Sequence, residues 1–164
     1  VSADMTDTIM KRLRFDNDTR EKVVGLVYYH DATFEVGEKY IKRWLNKIGE
    51  KQFRRLLNVR RADIKAQAYT EQESRLQKID NIKYILEEVL QKDECFSLKD
   101  LAVNGNDLIE IGYKPGKEIG NTLNCLLQLV IEGVYLNEKS ELLKYIETTK
   151  EWMKLGENYN GKII

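Results

Sequence analysis

The sequence from Ile111 to Gly120 reads IGYKPGKEIG and gathers three glycines and the chain's only proline. A helix that begins here leaves its first backbone N–H groups without intrahelical partners and exposes the positive end of its dipole. Gly116 would let a phosphate group approach the backbone closely, and Lys114 and Lys117 would add positive charge. Glu118 weakens this hypothesis because its carboxylate already complements the dipole. A phosphate site and a tight structural corner between two packed helices are therefore competing interpretations.

A second candidate phosphate-binding feature lies on the helix predicted around residues 51–68. At about 100° per residue, one face is apolar and is expected to be buried. Its residues are Phe53, Leu56, Leu57, Ile64 and Ala68. The opposite face carries a basic stripe that consists of Lys51, Arg54, Asn58, Arg61 and Lys65. Local Lys and Arg clusters bind phosphate backbones, although similar stripes also occur on solvated surfaces.

Three further polar features could hold metal ions. The Asp16-x-Asp18 pair has the spacing with which nucleotidyltransferases hold two metals, but the predicted helix connection around it favours helix capping. His30, the chain's only histidine, precedes Asp31, and one such pair does not complete a coordination sphere. Arg60 falls among the buried positions with Asp63 three residues along, which indicates either a structural ion pair or a polar pocket shared with His30. We expect no bound transition metal.

The overall composition bounds the class of protein. The 164 residues contain 27 basic and 27 acidic side chains, so any polyanion site must be local. Cys95 and Cys125 are isolated, which argues against a disulfide framework or a zinc site and favours a reducing cytoplasm. No apolar run reaches the roughly 18 to 20 residues that a bilayer span needs, so a cytoplasmic protein without membrane contact is expected.

Apolar residues recur at spacings of three and four nearly everywhere, so the predicted fold is all-α, with about eight or nine helices in two packed lobes. We predict a boundary near residue 92, which gives domains 1–92 and 93–164. The amino terminus lacks Met and is already in helical register, which we interpret as a truncation. Ser97 is expected to begin a short helix, Pro115 to be the first residue of a longer one, and Asn137 to cap the last.

The segment SLKDLAVNGNDLIEIGYKPGKEIGNTLNCLLQLVIEG, followed by LNEKSELLKYI, resembles the carboxy-terminal region of bacterial CCA-adding enzymes, in the tRNA nucleotidyltransferase and poly(A) polymerase family. Upstream, RLRFDNDTREKVVGLVYYHD and LLNVRRADIKAQ are similar to the back half of the family's HD-type helical domain. The resemblance implies a partial HD-like domain over 1–92 and an RNA-binding domain over 93–164. His30 and Asp63 would then be remnants of an HD site whose earlier ligands precede Val1.

The resemblance also implies what this chain lacks. In the family, an amino-terminal head adds nucleotides with a Gly-Ser turn, an Asp-x-Asp pair and a Glu-Asp-x-x-Arg template, using Mg²⁺ and CTP or ATP. The implied partners of this chain are the acceptor and T arms of tRNA and the missing head, with a homodimer as a further expectation. Two alternatives are the carboxy-terminal half of an HD-type metal-dependent phosphohydrolase, with His30 and Asp63 as ligands, and a helical protein-interaction module.

We predict that the purified chain adds no nucleotide to tRNA, because the catalytic motifs of the head are absent from its sequence. The measurement is incorporation of labelled CTP or ATP into tRNA with Mg²⁺ present. Incorporation above a protein-free control would contradict this prediction.

Overall fold

The computed structural model describes residues 2–67, 71–92 and 94–160, and side chains through Thr149. In these ranges the chain forms eight helices and no strand, which confirms the all-α prediction. The helices are α1 Ser2–Arg12, α2 Asn17–Tyr29, α3 Glu38–Ile48, α4 Glu50–Ala66, α5 Gln72–Gln91, α6 Gly105–Glu110, α7 Lys117–Ile131 and α8 Lys139–Asn160. They fall into two compact units, Val1–Asp93 and Glu94–Ile164. None of the described helices is long and apolar enough to cross a membrane.

The core of the first unit is built on α3, α4 and α5. Four of the five residues predicted to form the buried face of α4 are indeed buried, and the fifth, Ala68, lies outside the described residues. The Trp44 ring of α3 stacks on Phe53 with centroids 5.8 Å apart and meets Phe34 edge-on. Asp16 accepts a hydrogen bond from the Thr19 backbone N–H at 2.8 Å, so its carboxylate caps α2 as predicted.

The second unit packs α6, α7 and the first half of α8 around one apolar cluster. Its buried members include Val103, Leu108, Leu126, Leu127, Ile131, Leu142 and Ile146. Gly133 follows the carboxy-terminal end of α7 with a φ of +72°, the left-handed conformation in which a glycine commonly ends a helix. The helical spacing of Leu142, Leu143 and Ile146 extends to Met153, whose side chain lies outside the described side chains.

Three helix-end predictions in this unit are wrong. Ser97 begins a turn, because the Asp100 carboxylate accepts hydrogen bonds from both the Ser97 backbone N–H and its hydroxyl and closes the chain locally. The first residue of α7 is Lys117, two positions after Pro115, because Gly116 has an extended, positive-φ backbone. Asn137 does not cap α8; its amide bonds the Asp100 carbonyl and the Ala102 backbone N–H.

A buried carboxylate, that of Asp107, joins α6 to the start of α8. It is the only buried charged residue in the described part of the chain. One oxygen accepts from Lys139 Nζ at 2.5 Å, and the other accepts from the Asn104 backbone N–H at 2.8 Å. The second bond completes a capping box, because the Asn104 side chain caps α6 in return. Lys139, and then the Asn104 N–H, hold the pKa of Asp107 below its usual range, and Asp107 raises the pKa of Lys139.

Replacing Asp107 by Asn should lower the midpoint of thermal unfolding by several degrees at neutral pH, because the ion pair with Lys139 is lost. Since folding depresses the Asp107 pKa, this stabilisation is complete above the ordinary value of 3.8 and disappears as pH falls through the folded-state value. The difference between wild type and variant should therefore shrink in acid. A matched variant at an exposed acid of α8, Glu147→Gln, should change the midpoint little. A difference that persists unchanged in strong acid would contradict the electrostatic explanation.

Gly120→Ala should raise the free energy of unfolding by about 0.5 to 1 kcal/mol, because Gly120 is helical and a Cβ there would meet no atom within 4 Å. Gly112→Ala is the matched variant with the opposite expectation. It should lower the free energy of unfolding by roughly 1 kcal/mol, because Gly112 has a φ of +88°. Denaturant unfolding followed by circular dichroism measures both. Destabilisation by Gly120→Ala would show that this glycine has a packing role in the folded chain.

Candidate nucleic-acid interface

The glycine-rich loop, defined here as Gly112–Gly116, reverses the chain between α6 and α7. Gly112 ends α6 in a positive-φ conformation, and its N–H bonds the Ile109 carbonyl at 2.9 Å. The Tyr113 N–H reaches back to the Leu108 carbonyl at 2.9 Å, which satisfies a second carbonyl of the last turn. This pair of bonds is typical of a glycine-terminated helix, so the first glycine of the motif is required by backbone conformation.

Gly116 occupies the capping position of α7 with a φ of +151°, and no side chain caps this helix end. A Cβ at Gly112 or Gly116 would have no neighbour within 4 Å. Close packing of two helices therefore does not explain either glycine. Lys114 and Lys117 are both exposed, as is the whole run from Lys114 to Glu118. The loop thus presents the first N–H groups of a 15-residue helix beside two cations and one carboxylate.

Apolar side chains on both flanks anchor this loop to the core. Ile111 before it, Tyr113 within it and Ile119 after it pack against the buried cluster of the second unit. A Cβ on Gly105, the first residue of α6, would lie 3.4 Å from Ile119 Cγ2, so α6 and the first turn of α7 are in contact. The loop is therefore an exposed segment with fixed ends, which lowers the entropy cost of binding a ligand there.

Three members of the basic stripe of α4, Arg54, Asn58 and Arg61, contact side chains of α5. Arg54 forms a bidentate pair with Glu87, with Nη2 to Oε2 at 2.9 Å, and a further bond with Glu50. These carboxylates raise the pKa of the Arg54 guanidinium, Glu87 more than Glu50.

Two further contacts extend this pairing along the helices. Lys83 Nζ donates to the Asn58 side chain at 2.9 Å, and Arg61 pairs with Asp80. The partners recur at spacings of four and three on both antiparallel helices, so they form a continuous ladder. Lys51 and Lys65, the other stripe residues, are exposed.

His30 and Asp63 have separate local partners. The exposed His30 ring bonds the Val27 carbonyl through Nδ1 at 2.6 Å, while Asp63 accepts from Gln67 at 2.9 Å. Arg60 links the two segments, because its Nη1 donates to the His30 carbonyl at 2.9 Å and lies 3.8 Å from Asp63. No group of three His, Cys, Asp or Glu side chains that could hold a metal occurs in the described ranges. Arg60 and Asp63 thus form the structural ion pair, although their separation of 3.8 Å is long.

Sequence reasoning missed an aromatic and basic face on α3. Tyr40, Arg43, Trp44 and Lys47 follow a helical spacing of three and four and line a cavity of about 320 Å³ with Thr33 and Glu35. Lys47 Nζ lies 4.8 Å from the Tyr29 ring centroid and 5.4 Å from that of Trp44. Arg43 lies 5.2 Å from the Tyr40 ring. The spacing could have revealed this face, because cations and aromatic rings alternate along it.

The family model described as tRNA nucleotidyltransferase domain 2 matches residues 2–146. The CCA-adding enzyme of Limosilactobacillus fermentum is 47% identical over 45 residues, which are 27% of this chain and 11% of that enzyme. The mitochondrial CCA tRNA nucleotidyltransferase 1 of Homo sapiens is 38% identical over 69 residues, or 42% of this chain and 16% of that protein.

The matched segments thus cover only a small part of these curated relatives. No solved structure matches the chain significantly. Because the family model extends over both units and most of the described helices, the chain belongs to the tRNA nucleotidyltransferase domain 2 family.

Proposed function

We propose that this chain binds tRNA as the helical, non-catalytic part of a CCA-adding enzyme. The observation that carries the proposal is the glycine-rich loop, where the uncapped start of α7 is exposed between Lys114 and Lys117. Family membership supports tRNA as the polyanion, since the matching relatives are named as CCA-adding enzymes and a tRNA nucleotidyltransferase. The open space around Gly116 allows a phosphate to reach the backbone N–H groups.

The chemistry of this loop suits recognition of the RNA backbone. Backbone N–H groups at a helix start fix the position of a phosphate, and the two lysines supply screened Coulomb attraction. Such contacts orient an RNA without reading its bases, so the complex should be indifferent to base sequence and sensitive to salt. An enzyme that serves many tRNAs requires this kind of contact, because their acceptor and T arms share a shape.

Among the residues that the sequence suggested for phosphate binding, the proposal rests chiefly on Lys114, Gly116 and Lys117. Arg54 and Arg61 already pair with carboxylates of α5, so an RNA phosphate would have to compete with Glu87 and Asp80. Lys51 and Lys65 are exposed and are kept as secondary contacts.

In the same proposal, nucleotide addition with Mg²⁺ and CTP or ATP belongs to a head domain that partners this chain. This chain would bind the tRNA and thereby set the distance between the tRNA and the head.

Replacing Lys114 and Lys117 together by Ala should weaken tRNA binding and flatten the plot of log affinity against log salt by about one to two units of slope. Both side chains are exposed, so thermal stability should change by less than about 0.5 kcal/mol. The measurement is filter or fluorescence binding of labelled tRNA at several salt concentrations.

Three further variants separate the effects of side-chain charge and of backbone access from general effects. The double Arg replacement of the same lysines keeps both charges and should retain most affinity, whereas Lys99→Ala removes one exposed charge elsewhere in the unit and should have little effect. Gly116→Val keeps the lysines and should weaken binding by blocking the backbone, at some cost in stability. If the double Ala variant binds tRNA with unchanged affinity and slope, the loop serves only to reverse the chain.

A further inference from the structure

The second unit contains a cavity beside the glycine-rich loop, lined by residues of that loop, α7 and α8. The cavity is about 320 Å³, which is within the range of pockets that bind small organic molecules. Leu126 and Ile146 line it and are buried, while the rings of Tyr113 and Tyr145 are half-buried. The other described lining residues are Glu118, Asn121, Thr122, Cys125 and Thr149. The cavity therefore combines apolar and aromatic contact area with a few polar groups.

This cavity is continuous in sequence and in space with the glycine-rich loop. Tyr113 belongs to the loop and also lines the cavity, and Glu118 directly follows Lys117, the first residue of α7. Lys117 and Glu118 lie in one helical turn, which rises by about 5.4 Å. A nucleotide whose phosphate is bound at the start of α7 therefore has its sugar and base within reach of the cavity.

Glu118 is the lining residue that a phosphate contact by itself does not explain, because its carboxylate repels a phosphate. The side chain is exposed, and no hydrogen bond or ion pair joins it to another side chain in the described part of the chain. An ionised carboxylate only accepts hydrogen bonds. In an RNA, the 2′-hydroxyl is a hydrogen-bond donor that lies next to the 3′-phosphate on the same ribose. A ribose at the cavity thus supplies the donor that Glu118 lacks.

We propose that this cavity binds one unstacked ribonucleoside of an RNA, and that the Glu118 carboxylate accepts a hydrogen bond from its 2′-hydroxyl. The inference rests on the proposed function, because it places the adjoining phosphate on the glycine-rich loop. Tyr113 and Tyr145 supply aromatic contact for the base, and every base has a face that makes such a contact. The Tyr145 ring already contacts Tyr135, with centroids 5.0 Å apart, so it has little freedom to lose on binding. The site then distinguishes RNA from DNA without reading base sequence.

Two fluorescently labelled octamers, one of uridylate and one of deoxyuridylate, test the ribose contact. They carry the same bases and the same charge and differ in the 2′ substituent. Fluorescence anisotropy with the full chain at constant low salt should show about tenfold tighter binding of the ribo-octamer, the usual effect of one charge-assisted hydrogen bond. Glu118→Ala should bring the ratio of the two affinities close to one. Glu118→Gln keeps a neutral acceptor and should give an intermediate ratio.

The same ratio separates this role from a purely structural one. If Glu118 only complements the dipole of α7, its replacement by Ala removes a negative charge and strengthens binding of both octamers by the same factor. An affinity ratio that Glu118→Ala leaves unchanged, or equal affinity of the wild type for the two octamers, would overturn the proposal. Glu147→Ala removes an exposed acid of α8 outside the cavity and should leave the ratio as in the wild type.

Cys125 reports independently whether the cavity is occupied. Its thiol is exposed and lines the cavity, whereas Cys95, the chain's other cysteine, is buried. The ribo-octamer should slow the alkylation of Cys125 by N-ethylmaleimide, measured by mass spectrometry, more than the deoxyribo-octamer at the same concentration. An unchanged rate of Cys125 alkylation at a saturating concentration of the ribo-octamer contradicts binding in this cavity.

The ribose contact and the phosphate contact of the proposed function fail in different measurements. Replacing Lys114 and Lys117 together by Ala should weaken binding of both octamers by a similar factor and keep their ratio, because Glu118 is still present. If this double variant binds both octamers and tRNA as the wild type does, the phosphate contact on the loop is wrong. The affinity ratio and its dependence on Glu118 decide the ribose contact.

Discussion

The candidate RNA-binding loop depends on the buried carboxylate of Asp107. This single side chain completes the cap of α6 through the Asn104 N–H and binds Lys139 at the first residue of α8. A buried charge is tolerated only when its partners are complete, so α6 has one favourable position against α8. The glycine-rich loop starts where α6 ends, so the position of α6 determines where the loop begins. A six-residue helix has little stability of its own, so α6 depends on these contacts of Asp107 for its stability.

Positive charge in the first unit is divided between structural and available groups. The ladder from Arg54 to Arg61 stabilises the antiparallel pair of α4 and α5, and each partner is itself half-exposed, so every rung contributes modestly. Lys92 also pairs with Glu38, which connects the end of α5 to the start of α3.

The proposed phosphate contact in the glycine-rich loop combines backbone groups with side-chain charges. In the glycine-rich loop, backbone N–H groups and the helix dipole act together with mobile lysines, so affinity should be low and strongly screened by salt.

The sequence alone was sufficient for the all-α fold, the buried face of α4, the Asp16 cap and the family, because these follow from local periodicity, capping chemistry and a specific motif. Only the tertiary structure decided that Arg54 and Arg61 of the basic stripe pair with acids on α5, because the periodicity of one helix does not specify which neighbour it contacts. The same reason applies to Asn137, which hydrogen-bonds a distant loop instead of its own helix. It also applies to the contact of Asp107 with Lys139 and to that of Arg60 with the His30 carbonyl. Whether a charged side chain is paired or available depends on residues that are distant in the sequence. Only the packing of the helices brings these residues together.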